Sequence, residues 1–235
     1  MVGVGDGWPC KMGNMPWFYL NSYSPLVASK AGREASRKHG LPPFVDGSIR
    51  REPDLKHAFP AISCLCRAGK FAPRLAKGDV VAYMTRKGRY GGGVPHRRLT
   101  AVLQVVHLFP SHEAAAAWYK QQELPLPNNC MVRGNPAKPL DHSHQIHRGS
   151  KCLGDARTHK EWDARYRKRK TQHPSVVVCQ RLFHSLSLDA PVLEDDTLLK
   201  VFGKLPGTQN PGQWDLSHCD RLLKLLRLSV PPSAP

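Results

Sequence analysis

The chain has 235 residues, a formal net charge of +17 and 40% hydrophobic residues, enough length for one folded domain and an apolar content well above that of a disordered chain. The charge favours a polyanionic partner, nucleic acid first, because each phosphate neutralised by Lys or Arg releases counterions. No apolar run is long enough to span a membrane and none at the N-terminus resembles a secretion signal, so the seven cysteines are expected to be reduced thiols in a cytoplasmic protein.

Residues 1–14 are glycine-rich, lack any period and read as a disordered tail; Met15 offers an alternative start. Residues 15–230 read as a single domain. The aromatic run WFYLNSY at 17–23 predicts the first strand. A basic insertion at 24–43 holds a short helix around 29–39 before Gly40 and Pro42-Pro43 stop it. The loop containing Arg50 and Arg51 follows, then a short helix over 61–69, with Arg67, Lys70 and Arg74 spaced as a cationic run. A Gly78-Asp79 turn leads into strands at 80–85 and 99–106, joined by a basic, glycine-rich loop that ends in Arg97 and Arg98.

Ser111 caps a helix over 111–122 that carries four alanines. A second inserted loop, 133–175, contains a charged helix at 161–170. A buried-type strand at 175–179, a helical turn within 191–203 and an amphipathic helix over 217–228 complete the chain.

Four constellations bear on chemistry. His142, His144, His147 and Cys152 are weak candidates for zinc, because their spacing matches no structural zinc signature. Cys64, Cys66 and Cys130 are candidate thiolates, with Arg67 placed to depress a neighbouring pKa, although no motif ties them to a histidine and a carboxylate. GRYGGG at 88–93 lacks the Lys-Ser/Thr of a phosphate-binding loop. The fourth is nucleic-acid binding. Arg50, Arg51, Arg67, Lys70, Arg74, Arg97 and Arg98 would neutralise phosphates, while Tyr19, Asn21, Ser22 and Tyr23 line a base pocket to which Asn128, Asn129 and Asn135 add amides. No cofactor is expected.

The stretches WFYLNSY, CLCRAGKFAPRLAKGDVVAYMT, LTAVLQVVHLFPSHEAAAAWY and VVVCQRLFHSLSLDAPVLEDDTLLKVFGKLPGT resemble, in pattern and order, the nucleotide-modification-associated domain families of phages and bacteria, and more distantly the PUA, ASCH and EVE domains. The resemblance implies an α+β fold, a small PUA-like β-barrel flanked by helices, and recognition of a modified base; the expected partner is nucleic acid, DNA before RNA. The insertions at 24–43 and 133–175 depart from the pattern, and no catalytic residue carries over. Two alternatives stand beside this expectation. One is an enzyme, or an accessory subunit, of a modification or defence system. The other is a protein partner docked on the C-terminal leucine-rich helix.

Overall fold

The computed structural model describes residues 15–138, 158–207 and 211–228. The tail at 1–14 and the candidate ligands His142, His144, His147 and Cys152 lie outside the described residues.

Alternation along the first strand sets the layering. In β1 (Trp17–Tyr23), Phe18 and Leu20 join one core, while Tyr19 and Tyr23 join another, because successive side chains of a strand point to opposite faces. β1 runs parallel to β3 (Val80–Thr85) and antiparallel to β7 (Gly212–Asp215). β4 (Arg97–Phe109) pairs with β3 and with β5 (Val176–His184). β2 (Ala61–Ile62) extends the sheet beyond β5, and β6 (Val192–Leu193) joins the start of β4.

The molecule is thus α+β, with a mixed seven-stranded sheet in the order β2-β5-β4-β3-β1-β7 and β6 attached to β4. The end strands β2 and β7 are not paired with each other, so the sheet is open where a barrel was expected. Register shifts at Tyr83/Met84, Val102/Leu103 and Val105/His107 mark bulges in β3–β5. An extra residue in one strand bends it and increases its twist, so these bulges curl the sheet.

One face of the sheet is covered by α4 (Asp195–Phe202) and α5 (Leu216–Leu225), through Leu198, Phe202 and Leu222 packed on Phe18, Ala82 and Leu99. Leu222 of the C-terminal helix, the face that one alternative gave to a protein partner, is therefore packed inside the chain. The opposite face, with Val81, Tyr83 and Leu103, is covered by the irregular segment 24–75 through Leu26, Phe44 and Phe71.

The remaining helices start at side-chain caps. Ser29 accepts from the Gly32 N–H to open α1 (Lys30–Lys38), and Ser111 accepts from the Ala114 N–H to open α2 (His112–Gln121). Thr158 and Glu161 form a reciprocal capping box for α3 (His159–Gln172), the charged helix expected at 161–170, two residues longer at each end. α3 seats Trp162 and Tyr166 on Ile49, Cys64 and Met131.

The helix expected over 61–69 is instead a two-residue strand followed by a tight turn at Cys66–Gly69. Arg67 and Gly69 have φ of 52° and 83°, which no α-helix accommodates. A Cβ on Gly69 would lie 2.3 Å from the His173 ring, so only glycine fits there.

Candidate functional site

The turn at Cys66–Gly69 brings Arg67 back onto the outer half of β1. Its Nε and Nη2 donate to Asn21 Oδ1 at 3.1 and 2.6 Å, and Nη2 also donates to the Ser22 carbonyl at 2.8 Å. The other end of the amide, Asn21 Nδ2, donates to Cys66 Sγ at 3.2 Å, so the orientation of Asn21 is fixed from both sides. Two exposed arginines flank this contact along β1. The Arg74 guanidinium sits 5.7 Å from the centre of the Tyr19 ring, a cation–π contact. Arg86 follows β3, donates its N–H to the Tyr23 carbonyl at 2.8 Å and reaches Ser24 Oγ with Nη1 at 3.3 Å. Arg74, Arg67 and Arg86 therefore form a row along one strand.

Beneath the row lies a polar cluster. Asn21 and Tyr83 are register partners in the parallel pair, so their side chains stand side by side. Glu52 accepts from the Ser63 N–H at 2.6 Å, from Ser63 Oγ at 2.7 Å and from Asn129 Nδ2 at 2.6 Å. Protein surrounds its carboxyl, yet the residue keeps some exposed surface. That burial pushes the Glu52 carboxyl up to about 7; the Asn129 and Ser63 donors act against it, and Asp46 adds to it. Burial also raises Tyr83 well above the usual phenol range, reinforced by Cys66 and Glu52. Several buried polar atoms of Tyr83, of Arg51 next to Glu52 and of the Asn128-Asn129 pair make no hydrogen bond of normal geometry: Tyr83 Oη, Arg51 Nε, Asn129 Oδ1 and both amide heteroatoms of Asn128. An unpaired buried group costs about 1–3 kcal/mol, which a polar ligand that bonds it recovers.

The pH dependence of stability tests the assignment of Glu52. A carboxyl whose folded pKa is raised stabilises the fold fully below its unfolded pKa, and that contribution is lost as pH rises through the folded value. The thermal midpoint of the wild type, relative to that of Glu52→Gln, is expected to fall as pH rises from about 5 to about 8. Parallel midpoint curves for the two proteins would refute the assignment. Taking the difference cancels the opposite trend from His112, which burial pushes down to about 4 and whose Nδ1 accepts the Met131 N–H at 3.0 Å.

The other expected site residues divide by role. Arg50 has no exposed surface; it donates to Asp163 Oδ1 at 2.7 Å and to the Asn128 and Asn135 carbonyls at 3.1 and 2.9 Å. It ties α3 to the 128–135 loop, and its bonds run to protein. Asn135 spends its amide on the Pro127 and Cys130 carbonyls. Arg97 pairs with Asp195, and Arg98 donates to the Leu188 and Ala190 carbonyls at 2.9 and 2.8 Å. Lys70 and Arg74 are exposed. Tyr19 and Tyr23 are buried, with Tyr19 edge-on to Phe71 and the Tyr23 hydroxyl donating to the Phe44 carbonyl, so neither ring offers a stacking face.

The thiols do not behave as activated nucleophiles. Burial pushes Cys64, Cys66 and Cys130 each up to about 12, and the cation at Arg67 only partly offsets this at Cys66. Among the described residues, no group of His, Cys, Asp and Glu is arranged to hold a metal ion, and no helix is long and apolar enough to cross a membrane.

Glu52 and Tyr83 escaped the sequence reading. The only local signal for Glu52 is a lone acid directly after two arginines and before a proline; Tyr83 looks like any apolar strand residue. Compared with family models, with curated proteins and with solved structures, the chain matches none.

Proposed function

We propose that this protein binds nucleic acid, preferentially DNA, and reads a modified base. The observation that carries the reading is the stacking of two layers on β1: the row Arg74, Arg67 and Arg86 outside, and the Asn21–Tyr83–Glu52 cluster with its unpaired polar atoms beneath. Cations beside a strand suit phosphates, which position the ligand without reading sequence. Fixed amide, phenol and carboxyl groups in a low-dielectric setting suit the polar edge of an extruded base. The finer fold reading, a PUA-like core of the EVE or ASCH kind, draws support from the bulged, curled β3–β5 segment.

The test is a binding screen of oligonucleotides with and without modified bases, read by fluorescence anisotropy. One modified oligonucleotide is expected to bind more tightly than its plain counterpart, and Tyr83→Phe to abolish about tenfold of that preference, the worth of one hydrogen bond. Because Tyr83 Oη makes no hydrogen bond of normal geometry, its contacts with Asn21 and Cys66 being weak, the same substitution is expected to change stability by less than about 1 kcal/mol. Equal binding of plain and modified oligonucleotides by the wild type would overturn base reading.

A further inference from the structure

A cleft of about 650 Å³ lies beside the proposed site, between α1 and the loop that joins β3 to β4. Arg33 and Arg37 stand one turn apart on α1 and form one wall; Arg89 comes from the facing loop, and Val27 and Leu188 supply apolar surface. The two walls are held differently. Arg33 Nη1 donates to the Val27 carbonyl at 3.2 Å, which keeps its guanidinium at the rim. Arg37 and Arg89 are exposed, and no ion pair among the described residues holds either. Carboxylates on the adjoining segments are Glu34, on α1, Asp189, whose Oδ2 accepts the Ser187 hydroxyl at 3.2 Å, and Asp195, which Lys87 of the facing loop holds at 2.6 Å.

The back of the cleft connects it to β1. Tyr90 lines it, packs edge-on to Phe44 at 5.4 Å, and donates its hydroxyl to the Arg86 carbonyl at 2.7 Å. The Phe44 carbonyl in turn accepts the Tyr23 hydroxyl. Arg86, the last cation of the β1 row, and Arg89, the first of the cleft, thus belong to one loop pinned to β1 through Tyr90 and Phe44. Beyond Arg89 come Gly91, Gly92 and Gly93, all at positive φ and with open space for 4 Å around the place a side chain would take, so the loop tip can approach a ligand without steric cost.

We infer that this cleft holds the phosphodiester backbone of a single nucleic-acid strand as it runs on from the base site. The inference rests on the binding reading above and extends it from one nucleotide to several. A lone phosphate would occupy one or two guanidiniums, whereas five arginines from Arg67 through Arg86 and Arg89 to Arg33 and Arg37 follow one course. Phosphate neutralisation by several such cations makes affinity steeply dependent on salt.

The experiment compares wild type with Arg37→Ala/Arg89→Ala and with Lys200→Ala/Lys204→Ala, which removes the same charge from exposed positions on and just beyond α4, the helix over the opposite sheet face. Labelled 12-mers of DNA and of RNA with one sequence are titrated across a salt series, and a 5′-mononucleotide serves as competitor. The arginine variant is expected to bind about tenfold more weakly and to flatten the log–log salt slope by about 1.4, two lost phosphate contacts on a single strand. The lysine variant is expected to stay within about twofold of wild type, since net charge alone acts weakly through screening. The better-bound 12-mer identifies the sugar. Wild-type binding with an unchanged slope in the arginine variant, equal losses in both variants, or a mononucleotide as tight as the 12-mer would each overturn the strand assignment while leaving binding itself intact. A wild type that binds neither 12-mer would instead remove the binding reading, and the strand assignment with it.

Discussion

Asp163→Ala is expected to lower the unfolding free energy by about 3–5 kcal/mol, because it strands a buried guanidinium without its counter-charge. The Arg50 side chain is 0% exposed and that of Asp163 19%, so water cannot replace the lost partner at the arginine. Burial alone would raise the Asp163 carboxyl, but the bonds from Arg50 and Arg167 overcome it and hold the group below its ordinary value, in line with an ion pair that stabilises the charged form. Urea unfolding measures the loss. Arg167→Ala removes the outer partner, whose side chain is 43% exposed, and is expected to cost at most about 1 kcal/mol. The double replacement Arg50→Met/Asp163→Leu is expected to recover much of the deficit, since an apolar pair of similar volume needs no desolvated charge. An Asp163→Ala protein as stable as wild type would show that Arg50 is not the strut described above.

Leu222→Asp is expected to prevent folding. Leu222 is 0% exposed and packs between α5 and the sheet face that carries Phe18 and Leu99. The substitution loses about 2–5 kcal/mol of side-chain burial and leaves a carboxylate in an apolar site. Together these reach the whole margin of a typical domain, about 5–15 kcal/mol. Leu225→Asp, at a position 49% exposed on the same helix, is expected to stay within about 0.5 kcal/mol of wild type. Circular dichroism with size-exclusion chromatography distinguishes the cases. If the helix served a partner and not the core, Leu222→Asp would remain folded and change only the mass in solution.

These two residues show where sequence reading stops. The periodicity of leucines on α5 is plain, and it identifies an amphipathic helix correctly. It does not say whether the apolar face meets a sheet of the same chain or a second protein, because both bury the same stripe. Likewise the cationic character of Arg50 is visible, but its partner, Asp163, lies 113 residues away. Local signals do well where a single residue decides the outcome: Ser29 and Ser111 each open a helix as their chemistry dictates. They fail where backbone geometry or pairing decides. Ala61 and Ile62 look helical beside Cys64 and Leu65, but β5 recruits them as a strand. Gly212–Asp215 carries too little β-branched or apolar content to read as a strand and forms only against β1, and Asp215 caps the helix after it. At the candidate site, Asn21 and Arg67 are identifiable individually; their direct bond depends on a left-handed turn that no local preference announces.

The position of β1, held between β3 and β7, has a consequence for how the molecule is made. Within this chain β1 has one neighbour some sixty residues downstream and its other neighbour almost two hundred residues downstream. Until that last segment is in place, one edge of the strand stays open and Phe18 lacks its contact with Trp214. Such long-range closure slows folding and leaves an unpaired strand edge open to association in the meantime.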